Sequence, residues 1–286
     1  MFSVVLLGPS IISTVQALQN AVDGGIGHCP ASRLPEELVV STIFHSKGDP
    51  QRRKPSCRTC RTYFEPWLTS LKRLNIHALI LHDGIPPSVV EATKGPLVEF
   101  CEVKLGSGSV NDERFRLYYA LLSGQPVHLY PSMKIFPRDD FVASTDAKKV
   151  IFTDAADVVF LKNPFSFLDS KKKRIFVGSE NRKWIMWMRR KVKDCGLQDL
   201  PFERRLMYNA GILGGQVQIV LRFLHDFVTL QEKLSEVAYK RNCNMPIFNA
   251  VVKNWSRRGL VQTGYPLHTS FLAFQCNQSD AFICHK

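Results

Sequence analysis

The sequence predicts an α/β fold, in which a Rossmann-like, mostly parallel sheet is flanked by helices, and two observations support this. Short apolar runs rich in β-branched residues alternate with stretches of helical periodicity from residue 37 onward, a pattern typical of parallel strands joined by crossover helices. Polar residues follow several of these runs, at the strand ends where such sheets bind ligands. The chain of 286 residues can bury one sizeable core, so we expect residues 37–286 to form a single domain.

The individual elements are predicted from the periodicity of apolar residues and from turn-forming residues. Strands are assigned to apolar runs that end at turn signals, such as Gly48-Asp49-Pro50 after the first run. Helices are assigned where apolar residues recur three or four positions apart. The predicted strands cover 38–44, 77–82, 98–103, 149–153 and 175–178, and the predicted helices cover 63–74, 113–122, 182–193 and 217–230.

Composition and charge restrict the class of protein. Apolar residues make up 45% of the chain and charged residues 22%, which excludes wholesale disorder, a collagen-like chain and a coiled coil. The chain has 38 Lys and Arg against 25 Asp and Glu, a formal charge of +13. Such a surplus favours an anionic partner: a nucleotide, a phosphorylated sugar, a membrane surface or a nucleic acid. No nucleic-acid-binding motif occurs in the sequence, so we expect no nucleic-acid partner.

Residues 1–36 precede the predicted domain. Their apolar stretch has no basic residue before it and is broken by Gly8-Pro9. These features indicate either a degenerate signal sequence or a truncated membrane anchor.

The cysteines and the glycosylation sequons bear on the compartment. Eight cysteines and the sequons at Asn254 and Asn277 favour the lumen of the secretory pathway, the Golgi or the ER, with the cytoplasm as the alternative. Cys57 and Cys60 form a CxxC pair. Since no second pair follows at zinc-site spacing, a local disulfide or free thiols are favoured there over a metal.

The strand predicted over 149–153 runs directly into two carboxylates, Asp154 and Asp157. Hard divalent cations prefer oxygen ligands, and a nucleotide diphosphate usually arrives with Mg²⁺ or Mn²⁺ on its phosphates. The two aspartates are therefore a candidate metal site. A pair of turn or helix-capping aspartates explains the same pattern and stays open as the alternative.

Two further segments indicate anion binding. Asn209 and Gly211 precede the helix predicted over 217–230; glycine permits close backbone approach, and a helix start favours an anion. Arg114 lies in the first turns of the helix that begins near Asn111 and Asp112. That segment is either an Arg clamp for phosphate or sugar, or a helix cap with an acidic first turn.

His268 is a single imidazole in an apolar late segment. It is either a metal ligand or a core histidine whose ring nitrogens are satisfied by the protein itself.

In their order along the chain, these segments resemble the motifs of GT-A-fold glycosyltransferases. The resemblance is greatest to the hexosyltransferases that use nucleotide-diphospho-sugars and whose layout parallels the glycogenin and galactinol synthase type. Most of the chain, from Val39 to Phe271, is covered. The matching motifs are the strand that contains Thr42, Asn111-Asp112-x-Arg114, Phe152-Thr153-Asp154-x-x-Asp157, Tyr208-Asn209-Ala210-Gly211, Pro246-Ile247-Phe248-Asn249 and His268-Thr269.

The resemblance implies a nucleotide-sugar donor, a UDP-hexose, whose diphosphate is held by Mn²⁺ or Mg²⁺, and a glycan or other hydroxyl acceptor. It also implies retention of configuration at the transferred sugar. Three positions match the metal ligands of similar enzymes: Asp154, Asp157 and His268. The other matches are donor-binding positions at Thr42, Asn111, Asp112, Arg114 (with Arg116 the weaker candidate) and Gly211, and catalytic positions at Asp154, Asp157, Asn209 and Asn249.

The chain departs from the pattern of these enzymes at two places. Two residues separate Asp154 from Asp157, where the usual spacing is Asp-x-Asp. Similar enzymes also place an acid ahead of the Pro-x-x-Asn element, and this chain has Asn244 there. Because an amide cannot act as a general base, a non-catalytic nucleotide-sugar-binding or glycan-binding descendant of the fold is the alternative function.

The segment 182–193 mixes basic and aromatic residues. Four interpretations are open: a core helix with a basic outer face, an acceptor platform, a peripheral contact with a membrane surface, and stacking on nucleic acid. Our hypothesis is that Trp184 or Trp187 stacks on an acceptor sugar.

Overall fold

The computed structural model describes residues 34–48, 61–124, 143, 145–169, 173–183, 186–198, 206–234, 241–270 and 280–285. Nine strands lie in these parts of the chain. They are β1 (Glu37–Ile43), β2 (His77–His82), β3 (Val98–Glu102), β4 (Lys149–Thr153), β5 (Val158–Phe160), β6 (Ile175–Lys183), β7 (Leu206–Gln216), β8 (Val261–Thr263) and β9 (Ile283–His285).

Seven of these strands form the central sheet, in the order β3-β2-β1-β4-β7-β6-β8. The neighbours from β3 to β4 are all parallel, as are β6 and β8, whereas β7 runs antiparallel to both β4 and β6. The predicted α/β class with a mostly parallel sheet is therefore confirmed. β5 and β9 pair separately, in an antiparallel two-stranded sheet.

Helices cover both faces of the central sheet. They are α1 (Arg61–Arg73), α2 (Pro87–Thr93), α3 (Val110–Ser123), α4 (Phe165–Asp169), α5 (Met186–Asp194), α6 (Val217–Lys233) and α7 (Asn244–Arg257). None of the helices in the described parts of the chain combines the length and the apolar character needed to cross a membrane.

Alternate residues of the sheet point into two separate cores. In β1, Leu38 and Val40 belong to the core beneath α3, α6 and α7, whereas Val39 belongs to the core beneath α1. β4 alternates in the same way. This period of two explains why the predicted strands are continuous apolar runs: a parallel sheet is buried on both faces. Each large side chain buried here stabilises the fold by roughly 1.5–3 kcal/mol.

Every predicted strand and helix is present, and the bounds differ most at the end of β6 and the start of α5. The sequence patterns do not predict β5, β7, β8, β9, α2, α4 or α7. The prediction of a helix over 182–193 is wrong at its start, because β6 continues to Lys183, where it pairs with Leu206 of β7; α5 begins only at Met186. α3 begins earlier than predicted, at Val110. Its N-cap is Ser109, whose hydroxyl accepts a hydrogen bond from the backbone N–H of Asp112 at 3.2 Å.

A disulfide joins Cys195, just after α5, to Cys243, just before α7. Cys101 and Cys284 are also disulfide-bonded. The Cys57–Cys60 pair lies outside the described residues, so the expectation of a local disulfide or free thiols there stays a prediction.

Candidate functional site

A cavity of about 260 Å³ lies at the carboxyl ends of β1 and β4. Thr42 lines it from β1, and Asp154 and Asp157 line it from the segment after β4. Asn111 and Arg114 reach it from the first turns of α3. The structure therefore brings together side chains that are far apart in the chain, at the sheet edge where parallel strands end.

The pairing of β4 with β7 fixes the floor of the cavity. Thr153 is paired with Ile212, and just beyond it the backbone N–H of Asp154 donates a hydrogen bond to the carbonyl of Gly211 at 3.0 Å. This register places the predicted Asn209–Gly211 segment directly beside the predicted aspartates.

Asp154 forms an ion pair with Arg114. A second guanidinium nitrogen, Nη2, donates to the carbonyl of Ala210 at 3.4 Å. Burial lowers the pKa of Arg114, but the charge and hydrogen bond of Asp154, together with smaller contributions from Tyr118 and Asp112, outweigh burial, and the net pKa is raised. Arg114 is 8% exposed and stays positively charged at the cavity wall.

Gly211 has no room for a side chain. A Cβ at this position would lie 2.8 Å from Asp154 Oδ2, 2.8 Å from Asn209 Oδ1 and 3.0 Å from His285 Nε2. The backbone thus approaches three polar side-chain atoms that converge on one point of the cavity, which explains the need for glycine here.

Asn209 is held in place at the cavity by two partners. Its Oδ1 accepts a hydrogen bond from the backbone N–H of Gly211 at 2.6 Å, and its Nδ2 donates to the Glu180 carboxylate. Glu180 also lines the cavity. The sequence patterns did not single it out, although it stands just past the predicted strand 175–178, at a strand-end position of the kind that supplied the other candidates.

His285 lies in the cavity wall near the two aspartates. The β5–β9 pairing sets its backbone opposite Val158, the residue after Asp157, and the backbone N–H of His285 donates to Thr269 Oγ1 at 2.9 Å. Burial lowers the pKa of His285 to about 4, Asp154 opposes this shift, and His268 adds to it. The imidazole is therefore neutral near pH 7. Only the pairing of distant strands brings it here, so no local sequence signal could have identified it.

His268 differs from the expectation of a metal ligand. It is fully buried and is not among the side chains that line the cavity. Its Nε2 lies 2.9 Å from the backbone N–H of Gly264 and 2.8 Å from the carbonyl of Val177, and its Nδ1 lies 2.8 Å from the carbonyl of Thr269. Backbone groups thus engage both ring nitrogens, the arrangement of a satisfied core histidine.

Asp112 also lies away from the cavity that it was expected to line. It is fully buried in the first turn of α3, where the Ser109 hydroxyl donates to its Oδ2 at 2.5 Å. Burial, with a smaller contribution from neighbouring Glu113, raises its pKa to about 6. The residue caps and packs the start of the helix.

The resemblance implies a catalytic role for Asn249, but its side-chain amide is hydrogen-bonded to backbone groups. Its Oδ1 accepts from the N–H of Tyr208 at 2.9 Å, and its Nδ2 donates to the carbonyls of Tyr208 and Met245, both at 3.0 Å. Asn249 therefore fastens α7 to β7 and leaves no amide group directed at the cavity.

The open side of the cavity is formed by Trp187 of α5 and by Asn244 and Met245 of α7. Trp187 is 41% exposed. Asn244, the departure noted from the sequence, is 2% exposed. Trp184 lies outside the described residues, so its stacking on an acceptor sugar stays a prediction. Trp187 is the tryptophan of this segment that lies at the cavity.

Within the described parts of the chain, no group of three or more His, Cys, Asp or Glu side chains is arranged to hold a metal ion. Asp154 instead has the guanidinium of Arg114 as its cationic partner.

Comparisons with known proteins give a distant structural likeness. No family model matches the chain, and no curated protein matches its sequence. One solved structure that matches is the galactosyltransferase LgtC in complex with donor and acceptor sugar analogues. It is 14% identical, the match covers 87% of this chain and 86% of that chain, and the TM-score is 0.43. A similarity at this level does not by itself establish a shared activity.

Proposed function

We propose that this protein is a GT-A-type glycosyltransferase that moves a hexose from a nucleotide-diphosphate sugar, UDP-linked, to a hydroxyl acceptor, with the help of a divalent metal and with retention of configuration. The observation that carries the proposal is the cavity at the ends of β1 and β4, where Arg114, Asp154, Asn209 and Gly211 converge. Ligands bind at this edge of open parallel sheets, and these residue types suit a diphosphate and a sugar.

The charges in the cavity support a metal-assisted diphosphate site. Asp154, Asp157 and Glu180 face it with one guanidinium, that of Arg114, and His285 is neutral near pH 7. Such a site repels a bare diphosphate, because the carboxylates outnumber the cation. A divalent cation would reverse that balance, which is the usual reason for pairing aspartates with a nucleotide diphosphate.

Two side chains of the cavity would bind Mn²⁺ or Mg²⁺ jointly with the diphosphate. Asp154 Oδ2 and His285 Nε2 both lie within 3.0 Å of the point that a Gly211 Cβ would occupy, so an oxygen and a nitrogen acceptor converge there. Since the described residues contain no group of three His, Cys, Asp or Glu side chains arranged for a metal, Asp154 and His285 would hold the ion together with the diphosphate, and Asp157 also lines the cavity. When bound, the ion would stabilise negative charge on the departing diphosphate.

The remaining lining residues suit the other parts of the donor. Thr42, Phe44 and Tyr63 form an aromatic and hydroxyl-bearing wall for the nucleoside. Asn209 and Glu180, already joined to each other, offer amide and carboxylate groups to the hydroxyls of a hexose. Arg114 would bind the diphosphate or the sugar through its guanidinium.

Donor-hydrolysis profiling tests this proposal. The purified protein is incubated with a panel of UDP- and GDP-sugars with and without Mn²⁺, and release of the nucleotide is measured. We expect metal-dependent release from a UDP-hexose, lost in Asp154→Ala and retained in Asp169→Ala, which removes an exposed carboxylate at the end of α4. No release from any sugar nucleotide by the wild-type protein would contradict transfer activity.

A second function, binding of a nucleotide sugar without catalysis, is favoured by Asn244. This residue lies at the cavity, where similar enzymes have an acid, and its amide cannot accept the proton of an attacking hydroxyl. Metal-dependent UDP-sugar binding with neither hydrolysis nor transfer would select this second function.

We also propose that the protein resides in the lumen of the secretory pathway. The Cys195–Cys243 disulfide supports this location, because disulfides persist mainly in oxidising compartments. Fractionation of expressing cells tests it, and a cytoplasmic signal with reduced cysteines would contradict it.

A further inference from the structure

Three features of the open side of the cavity concern the acceptor. They are the exposed face of α5, the buried amide of Asn244, and the disulfide that joins the two helices bearing them. We propose that this side binds an anionic saccharide, with the sugar ring on Trp187, its hydroxyl at Asn244 and its carboxylate or phosphate group at Arg190. The proposal rests on the proposed function, since it names the acceptor of that reaction.

The amide of Asn244 carries an unused acceptor. Asn244 lines the cavity at 2% exposure, and within the described parts of the chain its Oδ1 has no hydrogen-bond partner. A buried carbonyl oxygen left without a donor is destabilising, so such an atom at a cavity wall is suited to a ligand that brings a donor. A sugar hydroxyl is such a donor.

The exposed face of α5 continues the cavity with positive charge. Trp187 is at the cavity, and helical spacing puts Arg190 and Lys191 on the same side, three and four residues further along. α5 has four basic residues and one acidic residue, Asp194. Asp194 faces Arg241 at 3.7 Å, and Lys191 Nζ donates to the carbonyl of Arg241 at 2.7 Å.

Arg190 is the basic group that remains available on this face. It is exposed, and no carboxylate of the described residues lies within ion-pair distance of it. The cavity floor, by contrast, holds Asp154, Asp157 and Glu180. A saccharide with an anionic group would therefore be drawn to the α5 side of the opening and away from the floor, which orients its hydroxyl toward the donor.

The two helices of this surface are fixed to each other. Cys195, just after α5, is bonded to Cys243, which precedes Asn244. Met188 and Val192 anchor the opposite face of α5 in the core. Trp187 and Asn244 thus keep their separation without a bound ligand, and a preorganised site of this kind loses less entropy on binding.

The test compares two aryl glycosides that differ in one group. Binding of p-nitrophenyl β-D-glucuronide and p-nitrophenyl β-D-glucoside is measured by calorimetry in the presence of UDP and Mn²⁺. We expect the glucuronide to bind about three- to five-fold more tightly, the effect of one exposed ion pair. Arg190→Gln should abolish that preference, and Arg222→Gln, a matched change on the exposed side of α6, should leave it intact.

Equal binding of the two glycosides, or binding of neither, with UDP binding intact, would overturn the inference and leave the proposed function standing. Absence of UDP binding would instead refute the proposed function, and the acceptor assignment with it. If Arg190→Gln weakens binding to phosphatidylserine–phosphatidylcholine vesicles and leaves the glucuronide preference unchanged, the basic face is a membrane contact and the inference is wrong.

Discussion

Asp154 and Gly211 are joined across β4 and β7 by a hydrogen bond from the backbone N–H of Asp154 to the carbonyl of Gly211 at 3.0 Å. The same glycine leaves the space toward which Asp154 Oδ2 and His285 Nε2 converge. Residues from the middle and the end of the chain therefore meet at one backbone position, which has no room for a side chain.

Gly211→Ala should weaken binding of UDP in the presence of Mn²⁺ by about tenfold or more, ~1.4 kcal/mol, because the new Cβ would lie 2.8 Å from Asp154 Oδ2. Gly95→Ala is the matched control, since a Cβ at Gly95 would have no heavy atom within 4 Å. Calorimetric titration of both variants checks this. Unchanged affinity in Gly211→Ala would show that the convergence point is not used.

Because Arg114 and Asp154 form an ion pair, the effects of substitutions at the two residues on the free energy of unfolding should not be additive. Arg114→Gln leaves the carboxylate without its cation in a largely buried place. Since the Asp154 side chain is 34% exposed, we expect a modest coupling energy of about 1 kcal/mol. A double-mutant cycle with Asp154→Asn, followed by urea unfolding, measures it. Additivity of the two single effects within ~0.3 kcal/mol would contradict the coupling.

Asp112 should make the protein less stable as the pH rises. Burial raises its pKa to about 6 from 3.8, so between these values the folded state holds a proton that the unfolded state has lost. The contribution is present at low pH and is lost as the pH rises through about 6. The free energy of unfolding of Asp112→Asn, taken relative to wild type, should thus be greater at pH 7 than at pH 4 by on the order of 2–3 kcal/mol.

Thermal or urea unfolding of Asp112→Asn at pH 4 and pH 7 provides the measurement, with the exposed Asp169→Asn as the control. If the difference in unfolding free energy between wild type and Asp112→Asn is the same at both pH values, the buried carboxyl does not behave as described.

Asn249 should contribute to the stability of the fold and not to the binding of the donor. Asn249→Ala removes two hydrogen bonds between α7 and β7 and one within α7, and it leaves the backbone groups of Tyr208 without them, so a loss of about 1–3 kcal/mol is expected. Donor affinity of the folded variant, measured well below its melting temperature, should remain near wild type. A large loss of affinity with unchanged stability would restore the catalytic role that the motif implied.

Five of the nine described strands, β1 to β4 and β6, could be predicted from sequence because their signals are local, whereas the Gly-rich β7 and the short β5, β8 and β9 could not. β2 and β4 have the predicted bounds, since a strand buried on both faces is a continuous apolar run. β6 could not be extended to Lys183 from its own residues, because the bulged pairing with β7 determines where it ends.

The candidate site was predicted in part, for a similar reason. Asp154, Arg114 and Gly211 are at the cavity. Asp154 follows β4 and Arg114 lies in the first turns of α3, as the sequence indicates, whereas Gly211 lies inside β7 and not directly before α6. His285 could not be found, because it reaches the cavity only through the pairing of β9 with β5. For His268 the resemblance implies a metal ligand, and the hydrogen bonds of its ring to backbone groups fit the alternative, a satisfied core histidine.

The central claim is that the cavity binds a nucleotide diphosphate through a metal at Asp154. Calorimetric titration of UDP into the wild-type protein with and without Mn²⁺, beside Asp154→Ala and Asp169→Ala, tests it most directly. We expect binding that requires Mn²⁺, that weakens about tenfold or more, ~1.4 kcal/mol, in Asp154→Ala, and that is unchanged in Asp169→Ala. Equal binding by Asp154→Ala and wild type, or no binding of UDP by the wild-type protein with Mn²⁺, would contradict it.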